Sequence, residues 1–171
     1  WFRNTWSWGD EETKPTMRQL RSNSIRASHG KLGDYTLACE KPRELLFTEN
    51  ESNRQRLWNQ PNETPYVKDA FHEYVIGGNG QAVNPKHMGT KAAAHYTLEV
   101  PAGDKRVIRL RLYAGEVREE FGAAFDEIFT SRISDADELY ARIIPERNNE
   151  DQRLVQRQAL AGMLWTKQYY H

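Results

Sequence analysis

Hydrophobic and polar positions alternate with a period of two in short runs up to about residue 115, and with a period of 3.6 beyond it. At the N-terminus, Phe2, Asn4, Trp6 and Trp8 fall on one face and Thr5 and Ser7 on the other, which predicts a strand over 1–8. An acidic loop over 9–15 and a polar strand over 20–28 follow. The latter has only Leu20, Ile25 and Ala27 as apolar points. His29-Gly30-Lys31-Leu32-Gly33-Asp34 is a turn cluster. Tyr35, Leu37 and Cys39 then alternate with Thr36, Ala38 and Glu40 in a half-buried strand. Lys41-Pro42 breaks that strand, and Leu45, Leu46 and Phe47 centre another over 44–48. Short, closely spaced strands separated by turn signals predict an antiparallel sheet.

The rhythm stops at about residue 50 and resumes after 80, so this stretch reads as an insertion between strands. A short charged helix is expected over 51–58, then a loop with Pro61 and Pro65. Over 67–76, Val67, Phe71, Tyr74 and Val75 share a helical face, with Asp69, His72 and Glu73 on or near the other side. Gly77-Gly78-Asn79-Gly80 ends that helix. Long insertions that are not simply disordered are often functional.

Alternation returns over 94–112. Pairing Leu98 with Ile108 sets Tyr96 opposite Leu110 and Ala94 opposite Leu112, which predicts a hairpin with one face in a core. Thr97 and His95 then oppose Arg109 and Arg111 on a solvated or docked face.

The period then changes. Phe121, Phe125, Ile128, Phe129, Ala136, Leu139, Tyr140 and Ile143 form one stripe, interrupted by Arg132, and Pro145 ends the helix. Asn149 and Gln152 have capping-box spacing for a second helix, giving an αα-hairpin. The second helix runs through QRQALAGMLWTKQYYH (156–171), where apolar residues crowd every side. A helix apolar all round is expected to be buried all round. This helix ends in register at His171 and the chain begins at Trp1 in strand-like sequence, so a piece of a larger protein is expected.

Composition narrows the functional classes. The 24 basic and 24 acidic residues cancel, so no global field attracts nucleic acid or an acidic membrane. No apolar run is long enough to span a bilayer. Cys39 is the single cysteine, so an internal disulfide is impossible, and it reads as a small buried hydrophobe. No cofactor is called for, and the cytoplasm is favoured with the compartment otherwise open.

The order of LLFTENESNRQRLW, PYVKDAFHEYVI, GTKAAAHYTLEVPAG and EDQRLVQRQALAGMLWTKQYYH resembles bacterial glucosidase-like proteins of glycoside hydrolase family 63, the mannosyl-oligosaccharide glucosidase family. The resemblance spans nearly the whole chain. It implies a large enzyme with an N-terminal β-sandwich, a helical linker and an (α/α)6 barrel. This chain would supply the later sandwich with its insertion (1–115), the linker helix (116–147) and the first barrel helix (148–171). Inverting glycosidases of this kind need a carboxylic acid and a carboxylate about 6.5–9.5 Å apart. The resemblance places both in the barrel, beyond His171, so no catalytic residue is assigned and the isolated chain is expected to be inert. It implies an oligosaccharide and the barrel domain as partners. Self-association through the uncovered helix is a further expectation.

Trp58 is the candidate sugar-stacking aromatic, with Glu49, Asn50 and Glu51 near it in sequence to hydrogen-bond hydroxyls. Trp6 and Trp8 read more simply as core. Asp69, His72 and Glu73 sit about a turn apart and are candidates to face a cleft, although a solvated helix face is the simpler reading. His72, His87 and Glu73 match no metal cage, so no metal is assigned. The fold expectation is α+β: an antiparallel β-sandwich fragment with a helical insertion, then two long helices. Two rival functions remain, a free-standing carbohydrate-binding sandwich and a structural or oligomerisation module.

Overall fold

The computed structural model describes residues 4–9 and 14–166. The chain divides into two units, Trp1–Phe121 and Gly122–His171. The architecture is α+β. An antiparallel five-stranded sheet and a second, two-stranded sheet occupy the first unit, together with two short helices, and two long helices form the second.

The first sheet contains β1 (Thr16–Arg21), β2 (Ser24–His29), β3 (Gly33–Cys39), β5 (Met88–Gly89) and β7 (Leu110–Tyr113), in the order β5-β1-β2-β3-β7. The second pairs β4 (Glu44–Thr48) with β6 (Lys91–His95). The polar strand expected over 20–28 is really parts of two strands, turned at Ser22-Asn23 so that Arg21 pairs with Ser24. Its alternation is hard to see because the turn at Ser22-Asn23 interrupts it midway. Register sets Ile25, Leu37 and Leu112 in one cross-strand row and Arg26, Thr36 and Tyr113 in the next, on the opposite face. Met17, Ile25 and Cys39 of the first sheet form a core cluster with Leu45 and Phe47 of the second. Ala92 and Ala94 pack against it opposite Phe47 and Leu45. Burying side chains the size of Leu45 and Phe47 stabilises the fold by about 1.5–3 kcal/mol each. Cys39 is fully buried, and burial pushes its thiol above the ordinary value.

Two expectations fail here. The hairpin over 94–112 does not form: β6 pairs with β4, and β7 pairs with β3 in the other sheet. The alternation of Ala94 and Tyr96 is used against the core, not against Leu110 and Leu112. The Tyr96 O–H donates to Glu40 O at 3.0 Å, after which the chain crosses between sheets, leaving Leu98 and Ile108 exposed. Arg109 reaches Glu40 through a two-pronged ion pair and lies 5.7 Å from the Phe121 ring. Arg111 donates to the carbonyl of Glu120 at 3.2 Å.

The strand expected over 1–8 also fails where it is described; residues 1–3 lie outside the described residues. Trp6–Trp8 is a 3-10 turn. Asn4 Oδ1 accepts from Ser7 N at 3.1 Å, and Gly9, at φ 101, closes the turn. Only a residue free to adopt that left-handed geometry ends the turn so abruptly. Trp6 itself is buried.

In the second unit, α3 (Ala123–Ile143) and α4 (Glu150–Trp165) follow the expected periodicity. Pro145 follows the first helix. The capping box forms: Asn149 Oδ1 accepts from Gln152 N at 2.9 Å, and Asn149 N donates to Gln152 Oε1 at 3.1 Å. Ile144 is buried in the link, and Arg157 of α4 meets Asp137 at 2.5 Å and lies over the Tyr140 ring of α3. Much of the apolar stripe is not covered: Phe129 is 63% and Trp165 88% exposed. Residues 167–171 of the all-round apolar stretch lie outside the described residues. No described helix is long and apolar enough to cross a membrane.

Candidate functional site

The insertion leaves β4 and returns through β5. Its base is closed by backbone bonds, Glu49 N to Tyr66 O at 2.8 Å and Lys68 N to Glu51 O at 2.9 Å. Thr90, almost fully buried, locks the return. Its hydroxyl accepts from Asn50 N at 2.8 Å and donates to Glu49 Oε2 at 2.6 Å. Gly89 runs so close to β4 that a Cβ there would lie 2.3 Å from Thr48 O. The insertion thus starts from a rigid base.

On that base stands α1 (Arg54–Trp58). Asn53 caps it by accepting from Arg56 N at 3.0 Å, and Asn59, at φ 54, ends it. Trp58 therefore sits at the C-terminal end of a one-turn helix, 59% exposed. Beside it lies a recess of about 330 Å³, lined by Trp6, Glu51, Arg54, Trp58 and Glu63 among others. Trp6 Nε1 donates to Glu51 Oε1 at 2.9 Å, and Lys14 lies 3.7 Å from the same oxygen. Arg54 pairs with Glu63 at 2.5 Å and donates to Gln60 Oε1 at 2.9 Å. An exposed indole beside carboxylates, a guanidinium and serine hydroxyls suits a neutral polyhydroxylated ligand: the ring covers an apolar face and the polar wall takes hydroxyls.

The three other sequence candidates are not gathered at this recess. Asp69, just before α2 (Ala70–Val75), turns toward α1 and accepts from Asn53 Nδ2 at 3.2 Å and Arg56 Nη1 at 3.4 Å. It braces the two helices of the insertion. His72 and Glu73 are exposed on α2 and do not join Asp69 in an acid/base cluster. Among the described residues, no three His, Cys, Asp or Glu side chains come together as a metal-binding group.

A polar cluster not anticipated from sequence fastens α2 to the second sheet. Glu44 Oε2 accepts from the Tyr74 hydroxyl at 2.5 Å, and Glu44 Oε1 lies 2.8 Å from His95 Nδ1. Burial raises the Glu44 carboxyl, but the bonds from Tyr74 and His95, with Arg43 nearby, outweigh it and hold the group below its ordinary value. The bond to Glu44 in turn raises the Tyr74 phenol. Glu44 and His95 are cross-strand partners. Only the β4–β6 pairing reveals them, and the hairpin expected from sequence set His95 against Arg111 instead. Alongside, Lys91 lies 5.2 Å from the Phe71 ring. Burial and the neighbouring Lys68 lower its ammonium.

No protein-family profile matches the chain. No solved structure matches it. It is similar to a protein of Saccharomyces cerevisiae described as "Uncharacterized protein YMR196W", at 35% identity over 206 residues, covering 99% of this chain and 19% of that protein. The chain thus spans about a fifth of the length of the curated relative it matches.

Proposed function

We propose that this chain is a non-catalytic N-terminal portion of a family 63-like glycoside hydrolase that acts on glucosyl linkages of oligosaccharides with inversion. The reading rests on the motif resemblance across nearly the whole chain. The structural observation that carries it is the pair of helices with large uncovered apolar faces, Phe129 and Ile133 on α3 and Leu164 and Trp165 on α4. Exposed apolar area on this scale marks an interaction surface. The partner is a helical catalytic domain that packs on these faces and supplies both carboxylates. The sheet unit fits the same reading. Two strands lie against a sheet of five, and Leu32, Leu110 and Leu112 stay exposed, as in part of a β-sandwich whose second layer is incomplete. The recess at Trp58 is then a place for a glycan near the barrel mouth.

Deletion within the full-length protein tests the proposal. Removing this segment should abolish or insolubilise the glucosidase, and replacing Phe129 and Leu164 with Lys should weaken the packing of the two parts. An active, stable protein after either change counts against it.

A free-standing carbohydrate-binding module is the second reading, favoured only by the Trp58 recess. Glycan binding by the isolated chain, with no hydrolysis by any longer form, would support it.

A further inference from the structure

The outward face of the first sheet carries a feature that carbohydrate stacking does not use. Register places Arg18 directly opposite Arg26, and Arg26 opposite Thr36. Like charges directly opposite on one sheet face repel unless something compensates them. The next strand adds Tyr113 opposite Thr36. Residues 115–118 then fold alongside this row, and a recess of about 750 Å³ opens among Arg21, Arg26, Thr36, Tyr113 and Arg118.

The carboxylates in reach do not quench this cluster fully. Asp34 meets Arg26 Nη1 at 3.3 Å, but its side chain is largely exposed. Glu120 meets Arg21 at 2.9 Å, and Glu116 borders the recess. The Arg26 Nε is buried with no acceptor among the described residues. A buried, unmet donor on a charged group is costly, and the cost disappears when an anion supplies the oxygen. Guanidinium groups flanked by hydroxyls are well matched to a tetrahedral oxyanion, because two N–H groups of one plane can meet two oxygens.

We propose that this recess is a binding site for a phosphate group, with Arg26 as its principal ligand, Arg118 and Arg21 completing the charge, and Thr36 and Tyr113 donating hydroxyls. The site lies on the first sheet, in residues separate from the insertion recess at Trp58, and it stands whether or not the chain belongs to a glycosidase. A free phosphate and a phosphorylated sugar share this chemistry, so the test includes both.

The test is calorimetric titration of the 171-residue chain with inorganic phosphate, glucose 6-phosphate and unphosphorylated glucose, with the Arg26 Nε–H resonance followed by NMR. Saturable binding of either phosphate, a shift of that resonance and no response to glucose are expected. Tighter binding of glucose 6-phosphate than of phosphate would assign the hydroxyls to the sugar body; equal binding would assign the site to the anion alone. Arg26→Lys keeps the charge but loses the planar fork, and about a tenfold loss of affinity is expected, which corresponds to roughly 1.4 kcal/mol. Arg118 is exposed, so Arg118→Ala should leave the fold intact while weakening binding several-fold. No saturation by about 10 mM of either phosphate, weaker than any specific affinity worth about 4 kcal/mol, would overturn the proposal. So would binding indifferent to both variants.

Discussion

Tyr74 of the insertion donates its phenolic proton to Glu44 of the second sheet at 2.5 Å, across 30 residues of sequence. That bond, with His95 on the other carboxylate oxygen, holds α2 against β4. Tyr74→Phe removes one donor from a half-buried carboxylate. It should cost about 0.5–1.5 kcal/mol in chemical denaturation and loosen α2 first, seen as faster amide exchange there.

The same carboxylate makes stability depend on acid. The folded state holds Glu44 below its ordinary value, here 4.5. A depressed carboxyl contributes stability that is fully present above its unfolded value and is lost as pH falls through the folded one. Urea midpoints should therefore be level above about pH 5 and drop below about pH 4.5, and Glu44→Gln should flatten that drop. An equal drop in Glu44→Gln would place the acid sensitivity elsewhere, for instance at Glu40, whose carboxyl is lowered by its bond to Arg109.

Gly89 has no room for a side chain. A Cβ would lie 2.3 Å from Thr48 O, and that atom belongs to the backbone of β4. Gly89→Ala should destabilise the first unit by about 1–3 kcal/mol, the usual range for overpacking. Thermal melts followed by near-UV dichroism, which reports on Trp6 buried beside the insertion, would measure it. A variant as stable as the wild type would show that β4 and β5 can move apart.

How far the fold was legible follows from where each pattern had a single use. The 3.6-residue stripe expected from Phe121 to Ile143 and the Asn149–Gln152 cap depend on local spacing alone; the cap forms as expected, and the helix carries the stripe from Phe125 onward but begins at Ala123, leaving Phe121 before it. Leu45 and Phe47 also mark β4 unaided. The pairing of β6 was not legible. Ala94 and Tyr96 alternate equally well toward β4 or toward Leu110, and the nearer partner in sequence is not the partner in space. What decides it is burial of Leu45 and Phe47, which requires the small Ala92 and Ala94 across from them. The Glu44–His95 contact stayed hidden for the same reason. Trp58 was visible as an aromatic in a polar stretch. Its recess, which needs Trp6 brought in from far along the chain to meet Glu51, was not.

Trp58 is exposed and fills no core position, so Trp58→Ala should leave the melting temperature within about 1–2 °C, as surface substitutions do. If the recess takes a neutral sugar, the same change should remove most of the binding of a glucosyl oligosaccharide, because the ring supplies the stacking face. Thermal melts read the first and calorimetric titration of wild type and variant with the oligosaccharide reads the second. Retained binding in the variant would move the sugar site elsewhere.

The uncovered helix faces predict association. The isolated chain should self-associate with rising concentration in light scattering, and Phe129→Lys with Leu164→Lys should return it to a monomer without loss of helicity. A wild-type chain that stays monomeric at high concentration would mean that these faces need no cover.

The proposed glucosidase activity is tested most directly by the anomeric proton spectrum during incubation of a glucosyl oligosaccharide with the full-length protein, run in parallel with the 171-residue chain. Release of glucose with inverted anomeric configuration by the full-length protein, and none by the 171-residue chain, is expected. Hydrolysis by the isolated chain, or a folded full-length protein that releases no glucose from any glucosyl oligosaccharide offered, would contradict it.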